Sequence, residues 1–188
     1  MIANQIAGLM GVSAPVSLTS YESIQTYTVG AGGQAAIEFT GIAGTYSHLQ
    51  VRGIARSAKT ASLDNLRIQF NSNTGTNYAS HELYGTGSGS GLAYAEPSTT
   101  SSFIDGIASD FNSANIFGVF VMDILDYAST NKNKTVRTLS GTDANGSGTI
   151  SLNSGLFYAT PAAITSIKIY FGSFNLKQYS SFALYGIK

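Results

Sequence analysis

The amino-acid sequence predicts an all-β protein, an antiparallel β-sandwich or jelly roll that follows a short N-terminal arm or helix. Apolar and polar residues alternate over many short stretches, turn-forming residues separate these stretches, and a helical period is almost absent beyond the N-terminus. Short strands joined by such turns are typical of sandwiches and jelly rolls. We therefore predict an arm over residues 1–20 and a single sandwich domain over residues 21–188, a length that suits one hydrophobic core.

The predicted strands are stretches in which every second residue is apolar. The alternation is cleanest in HLQVRGI, LRIQF and TSIKIYF, each of which has one apolar face and one polar face. Further candidates are IQTYTV, AAIEFT, YASHELYG, SFIDGIAS, KTVRTLSG, GTISLN, GLFYAT and SSFALYGI. Turns are marked by 30–33, 71–76 and the dipeptide Asn145-Gly146. The dipeptide predicts a tight hairpin, because both residue types tolerate a positive φ.

One predicted strand, NIFGVFVMDILDY, is apolar on both faces. Its alternate residues form two sets, Ile116, Phe120, Met122 and Ile124 on one face and Phe117, Val119, Val121 and Leu125 on the other. A two-layer sandwich buries only one face of each sheet, so the second face needs a cover from its own chain or from another subunit. We predict that Phe117, Val119 and Val121 belong to an assembly interface.

The N-terminal stretch MIANQIAGLMG has apolar residues at helical spacing, namely Ile2, Ile6 and Leu9. Two interpretations stay open: a helix lying on its own sandwich, or an arm docked on a neighbouring subunit, with these three residues in the interface. A signal peptide is not expected, because the first basic residue is Arg52. A membrane span is not expected either, because polar residues interrupt the apolar run.

Composition restricts the partners of the protein. Ten basic and ten acidic residues give a net charge of zero, so a nucleic-acid partner, which requires a basic excess, is not expected. Charged residues make up only 11% of the chain, against about 25% in ordinary globular domains. A surface of uncharged polar residues and a zero net charge favour association, so we expect a homo-oligomer. The chain has no cysteine, which excludes disulfides and thiolate metal sites.

The motifs with possible chemistry are weak. The tract GTGSGSG lacks the spacing and the following helix of a dinucleotide-binding loop, and we interpret it as a flexible loop. His48 and His81 lie in separate strands, unlike the paired ligands of zinc hydrolases. The stretch DANGSGT resembles the start of a calcium loop, but Ser154 stands where the loop needs its twelfth-position glutamate.

Carboxylate pairs are the remaining candidates for catalysis. Asp123 and Asp126 close the doubly apolar strand, and Asp105 and Asp110 flank another strand. Two carboxylates facing a sugar-sized cleft could cleave a glycan, but the sequence does not place either pair across a cleft. We therefore predict no catalytic residue, no cofactor and no metal site.

Three stretches, YSHLQVRGIARS, LRIQFNSNTGTNY and the terminal SSFALYGIK, resemble a recurring pattern in virion proteins of tailed bacteriophages. In that pattern a segment fN-x-dtg-x-NY follows an early strand pair, and the last strand reads roughly S-x-F-x-LYGI. The resemblance covers about Tyr21 to Lys188, with one departure at Asn73, where the pattern often has aspartate. It implies a non-enzymatic structural protein of the virion, assembled in the cytoplasm of the bacterial host.

The resemblance leaves two positions on the particle open. One is a capsid-surface decoration or cement protein bound to the major capsid protein, for which a trimer would suit the quasi-threefold positions. The alternative is a tail or tail-fibre adhesin that contacts host surface glycans through exposed loops. Its predicted contact residues are Asn71, Asn77, Tyr78 and Tyr94.

Overall fold

The computed structural model of the protein describes residues 20–188. The predicted arm with Ile2, Ile6 and Leu9 lies outside the described residues. Within them the chain forms twelve strands in two antiparallel sheets that pack against each other, which confirms the predicted all-β sandwich.

The strands are β1 (Tyr21–Thr28), β2 (Ala36–Phe39), β3 (His48–Ala55), β4 (Leu63–Phe70), β5 (Tyr78–Gly85), β6 (Leu92–Thr99), β7 (Ser102–Ala108), β8 (Gly118–Leu125), β9 (Lys134–Asp143), β10 (Gly148–Phe157), β11 (Ile167–Phe171) and β12 (Ser181–Ile187). The larger sheet has eight strands in the order β1-β12-β3-β8-β9-β10-β5-β6, and the smaller sheet has four in the order β2-β11-β4-β7. Every pairing between strands is antiparallel.

The core between the sheets has an apolar part and a polar part. Under β3, β8 and β12 the inward-facing residues of the larger sheet are apolar and fully buried, among them Val51, Met122 and Leu184. Under β5, β9 and β10 most of the inward-facing residues are polar, although they are buried as well. These buried polar residues are Ser80, Glu82, Lys134, Thr138, Ser140, Thr142, Ser151 and Asn153.

The β9–β10 hairpin turns at the predicted dipeptide. Asn145 and Gly146 both have positive φ, 58° and 96°, and the Ala144 amide donates to the Ser147 carbonyl at 2.7 Å. The Asn145 amide also donates to the Asp143 carboxylate at 2.9 Å. This confirms the hairpin and explains why DANGSGT is a turn: at least one of its carboxylate oxygens serves the turn backbone.

Two strand predictions were wrong. GTISLN and GLFYAT are not separate strands but parts of the single strand β10, which crosses Gly155 without a break. Strand β6 was missed, because it contains Pro97 and lies at the edge of the larger sheet with most of its side chains exposed. Proline is tolerated at an edge, where its missing N–H breaks no ladder hydrogen bond.

Candidate assembly surface

The outer face of the larger sheet, which is the side turned away from the smaller sheet, carries rows of side chains aligned by strand register. One row joins Arg52, Val121, Leu139, Leu152 and Leu83 across five strands. Because directly opposed residues on one face lie in contact distance, each such row forms a continuous strip. The central part of this strip is apolar.

Seven large apolar side chains on this face are between 39% and 62% exposed. We call this set the outer apolar face; its members are Ile54, Leu83, Val119, Leu139, Ile150, Leu152 and Leu156. They come from five neighbouring strands of one sheet. Soluble monomers rarely expose large contiguous apolar patches. Where such a patch is exposed, it commonly marks an interaction site.

The doubly apolar strand lies at the centre of this arrangement as β8. Phe120, Met122 and Ile124 are buried in the core, as predicted. On the opposite side Val119 is 54% exposed and Val121 is half-buried, so the described residues do not provide the second cover. Phe117 precedes the strand and is half-buried. The assignment of Phe117, Val119 and Val121 to an interface stays a prediction.

Two of the five strands that contribute to the outer apolar face, β5 and β10, have an inverted amphipathic pattern. In β10, Ile150, Leu152 and Leu156 point outward, whereas Ser151 and Asn153 are buried. The alternation of β10 predicts the opposite orientation, with leucines in the core. The same inversion in β5 exposes Leu83 and buries Glu82. An apolar side facing outward is stabilised only if another surface covers it.

A polar row borders the outer apolar face. The Gln50 side-chain Nε2 donates to the Asp123 carboxylate at 2.7 Å, and the Arg52 Nε donates to the Gln50 side-chain Oε1 at 2.6 Å. The Arg52 guanidinium also lies 5.0 Å from the ring centres of Tyr21 and Tyr185. These contacts hold Arg52 and Asp123 in place and leave a charged rim beside an apolar centre, the usual anatomy of a protein interface.

A groove of about 710 Å³ lies at the β6 end of the outer face. Its lining includes His81, Leu83, Tyr94, Arg137 and Leu152. Tyr94 is 49% exposed, but it pairs with the inward-facing Glu82, so its side chain lies on the other side of β6 from His81 and Leu83. Apolar and cationic groups thus meet in the groove, and the contact role of Tyr94 stays a prediction.

The predicted carboxylate pairs are not brought together. Asp123 binds Gln50 on the outer face, whereas Asp126 sits in the following turn with φ 50° and forms an ion pair with Lys132 at 2.7 Å. The Lys132 hydrogen bond and charge lower the pKa of the Asp126 carboxyl. Asp110 pairs with Arg56 and Lys177, while Asp105 points into the polar part of the core. The two histidines also lie apart, because His48 accepts a hydrogen bond from the Asp126 amide while His81 lines the groove.

The predicted contact residue Tyr78 is not exposed, which corrects the adhesin set. Its ring is fully buried and stacks on Phe157 with 4.8 Å between ring centres. Its hydroxyl accepts a hydrogen bond from the Phe70 amide at 3.0 Å and donates to the Asn73 carbonyl at 3.2 Å. The NY dipeptide at the start of β5 therefore anchors the loop between β4 and β5. An aromatic ring next to the apolar core is more stable when it is buried than when it is exposed to solvent.

Asn71 and Asn77 are half-buried and bonded within the loops. The Asn71 amide oxygen accepts from the amides of Thr165 and Ser166 at 2.8 and 3.2 Å, and its nitrogen donates to the Ala163 carbonyl at 2.8 Å. Asn77 donates to the Asn73 amide oxygen at 3.2 Å. Asn71 is thus a clamp between two loops.

We expect Asn71→Ala to lower the free energy of unfolding by about 2 kcal/mol, because the exposed Thr165 amide and the half-buried backbone groups of Ala163 and Ser166 all lose a partner. Chemical denaturation of the purified variant measures this. Ser72→Ala is the matched control, since Ser72 has a similar φ of 54° but is exposed. If both variants lose the same stability, the backbone conformation matters and the clamp does not.

Comparison with known proteins gave no match for this chain among protein-family models, curated proteins or solved structures. Among residues 20–188 there is no helix that could cross a membrane and no group of three or more histidine or acidic side chains arranged to hold a metal ion. The fold and the outer apolar face define the protein as a two-sheet antiparallel β-sandwich with one sheet uncovered by its described chain.

Sequence reasoning found Val119 and Val121 but missed most of the outer apolar face. Leu139, Ile150 and Leu152 were missed because isolated alternation does not say which side of a strand meets the core. A signal was present: the side of β10 opposite the leucines carries only Thr149, Ser151, Asn153 and Gly155 before Phe157. A strand with leucines on one side and small polar residues on the other can be placed in a sandwich in either orientation.

Proposed function

We propose that the protein is a non-enzymatic structural component of a tailed-bacteriophage virion, a capsid-surface decoration or cement protein that binds the major capsid protein. The observation that carries this proposal is the outer apolar face, seven exposed apolar side chains on neighbouring strands of one sheet. The resemblance of the terminal strand and of the β4–β5 segment to virion proteins supports the same conclusion.

The physical argument rests on what the outer apolar face gains from being covered. Burial of apolar surface contributes about 25 cal/mol per Å², so a face of this kind stabilises an assembly rather than a free subunit. The low charge of the chain reduces repulsion between copies. We propose that copies of the chain associate through this face, as a trimer or another closed oligomer, and that the oligomer docks on the capsid.

The alternative is a tail or tail-fibre adhesin, and the groove beside Tyr94 favours it. His81 and Arg137 line the groove, and the exposed Tyr94 lies on the edge strand that borders it. An aromatic ring with neighbouring hydrogen-bond donors suits a sugar, which has apolar C–H patches between hydroxyls. Of the four predicted contact residues only Tyr94 belongs to this groove.

The double variant Leu139→Lys/Leu152→Lys tests the assembly role. Both positions are about half exposed, so the subunit should fold, but two lysines buried in an interface would be strongly unfavourable. We expect the native protein to be oligomeric by light scattering and to bind virus particles that lack it. The variant should be monomeric and lose at least about tenfold in particle affinity, which corresponds to 1.4 kcal/mol.

Phe111→Lys is the matched control, because Phe111 is 69% exposed but lies in the β7–β8 loop rather than on the outer apolar face. It should leave oligomerisation and particle binding unchanged. A monomeric native protein, or a double variant that still decorates particles, contradicts the proposal. Selective binding to host glycans on an array, lost on Tyr94→Ala, supports the adhesin instead.

A deletion of residues 1–20 tests the predicted arm separately. We expect the truncated protein to keep the folded sandwich, because β1 begins at Tyr21, and to lose particle binding. Circular dichroism measures the first property and co-sedimentation with particles measures the second. Normal decoration by the truncated protein would remove Ile2, Ile6 and Leu9 from the interface.

A further inference from the structure

The polar part of the core contains a pair of buried carboxyl groups from opposite sheets. Glu82 on β5 is only 4% exposed, and Asp105 on β7 is half-buried. The two carboxyl groups lie within hydrogen-bonding reach of each other. Since a carboxylate only accepts hydrogen bonds, two carboxyl groups can form this contact only with a proton between them. Otherwise a cation must take the place of the proton.

The backbone of β7 is built to hold Asp105 in this position. The hydroxyls of Ser140 and Thr142 on β9 donate to the carbonyls of Asp105 and Gly106 at 2.8 and 2.7 Å. Gly106 has φ +75°, and a Cβ at this position would collide with the Thr149 side chain. Only glycine combines this conformation with such close packing of the two sheets.

Further polar groups around the pair lack partners. The Oδ1 atom of Asp105, the Oγ of Ser80 and the Nδ2 of Asn153 are buried without a hydrogen bond. Ser80 is 3% exposed and stands two residues before Glu82 on the same side of β5. Asn153 is 2% exposed and is the cross-strand neighbour of Glu82. Buried polar groups are normally hydrogen-bonded, so these three groups are available to a ligand.

The chemistry of the set is that of a hard cation site. Glu82 and Asp105 supply carboxylate oxygens, Ser80 supplies a hydroxyl oxygen, and the Asn153 amide supplies an oxygen when its terminal group is turned by half a rotation. Ser151, which donates to Glu82, holds that carboxylate in place. Calcium takes six to eight oxygen ligands in flexible geometry, whereas magnesium demands a near-ideal octahedron. A loose set of this kind, completed by water, suits calcium.

We propose that Glu82, Asp105, Ser80 and Asn153 form a calcium site that ties the larger sheet to the smaller sheet. The cation replaces the proton shared by the two carboxyl groups and balances their charges. This site is independent of the proposed assembly role, because all of its residues lie between the sheets and none belongs to the outer apolar face.

Two further charged groups lie near the pair. Glu96 on β6 adds a negative charge and Arg67 on β4 a positive one. The neighbouring inward positions of β9 and β10 carry hydroxyl and amide groups only, from Thr138 to Thr142 and from Ser151 to Asn153. Burial and the charge of Glu82 raise the pKa of Asp105 to about 8.

Thermal unfolding of the full-length, chelator-treated protein tests the site. At pH 8, with calcium about a hundredfold above its dissociation constant, we expect Tm to rise by about 5–10 °C. Magnesium should give a smaller rise, and sodium chloride at the same ionic strength should give none. Calorimetric titration should give one calcium per chain.

Two variants decide whether these residues hold the ion. Asp105→Asn and Glu82→Gln keep the side-chain shape, and each should abolish the calcium effect without lowering Tm in the absence of calcium. Asp143→Asn, an exposed carboxylate in the β9–β10 turn, is the matched control and should keep the full effect. The proposal is overturned if calcium raises Tm no more than sodium chloride does. It is also overturned if Asp105→Asn retains the effect, or if Asp143→Asn loses it.

Discussion

Tyr78→Ala is expected to lower the free energy of unfolding by about 4 kcal/mol, because it removes a fully buried aromatic ring and leaves a cavity. The ring lies 4.8 Å from Phe157 and 6.1 Å from Phe70, centre to centre, so three aromatic side chains lose their mutual packing. Urea denaturation measures the loss as a lower midpoint at unchanged slope.

Two further variants separate the ring from its hydroxyl. Tyr78→Phe keeps the ring but leaves the Phe70 amide without its acceptor, and it should cost about 1–2 kcal/mol. Tyr179→Ala, at a tyrosine that is 65% exposed, should cost less than about 0.5 kcal/mol. A loss below 1 kcal/mol for Tyr78→Ala would contradict the buried position of this side chain.

Raising the pH from 5 to 8.5 is expected to destabilise the calcium-free protein. Burial and the nearby carboxylates raise the pKa of Asp105 from 3.8 in the unfolded chain to about 8 in the folded protein. Between these values the folded state binds a proton that the unfolded state releases, so stability falls as the pH rises. The slope is at most about 1.4 kcal/mol per pH unit, and because Asp105 is half-buried we expect a total loss of about 2–3 kcal/mol.

The acidic groups with lowered pKa act in the opposite direction and in a different pH range. Lys177 and Arg56 lower the pKa of Asp110, and Lys132 lowers that of Asp126. Their contributions to stability are already complete above the unfolded-state values and are lost only as the pH falls below them. Urea denaturation at several pH values therefore isolates Asp105. A flat profile in the native protein, or an unchanged slope in Asp105→Asn, would be inconsistent with the carboxyl pair.

The strands with one apolar and one polar side were predictable from residue order, and so was the Asn145-Gly146 hairpin. Strands β3, β4 and β11 follow the alternation of HLQVRGI, LRIQF and TSIKIYF. Local physics decides these elements, because the period of the side chains and the φ preference of the turn residues do not depend on distant parts of the chain. Strand β6 was not predicted, because its pairing with β5, rather than its own composition, keeps it in the sheet.

The position of the candidate sites was not predictable in the same way. The leucines of β10 and the glutamate of β5 alternate in a way that predicts leucine inside and glutamate outside, yet Leu152 is 49% exposed and Glu82 only 4%. Likewise Glu82 and Asp105 are 23 positions apart in the chain and meet only because β7 packs across β9 and β10 from the other sheet.

By itself, then, the order of residues determined that the chain forms short antiparallel strands in a weakly charged sandwich, and that β8 carries apolar side chains on both sides. Tertiary structure alone decided which side of β5, β9 and β10 faces the second sheet, and hence where the outer apolar face and the buried carboxyl pair lie. The reason is that both sides of an isolated strand are exposed to solvent. Only the packing of one sheet against the other buries one side and leaves the other exposed.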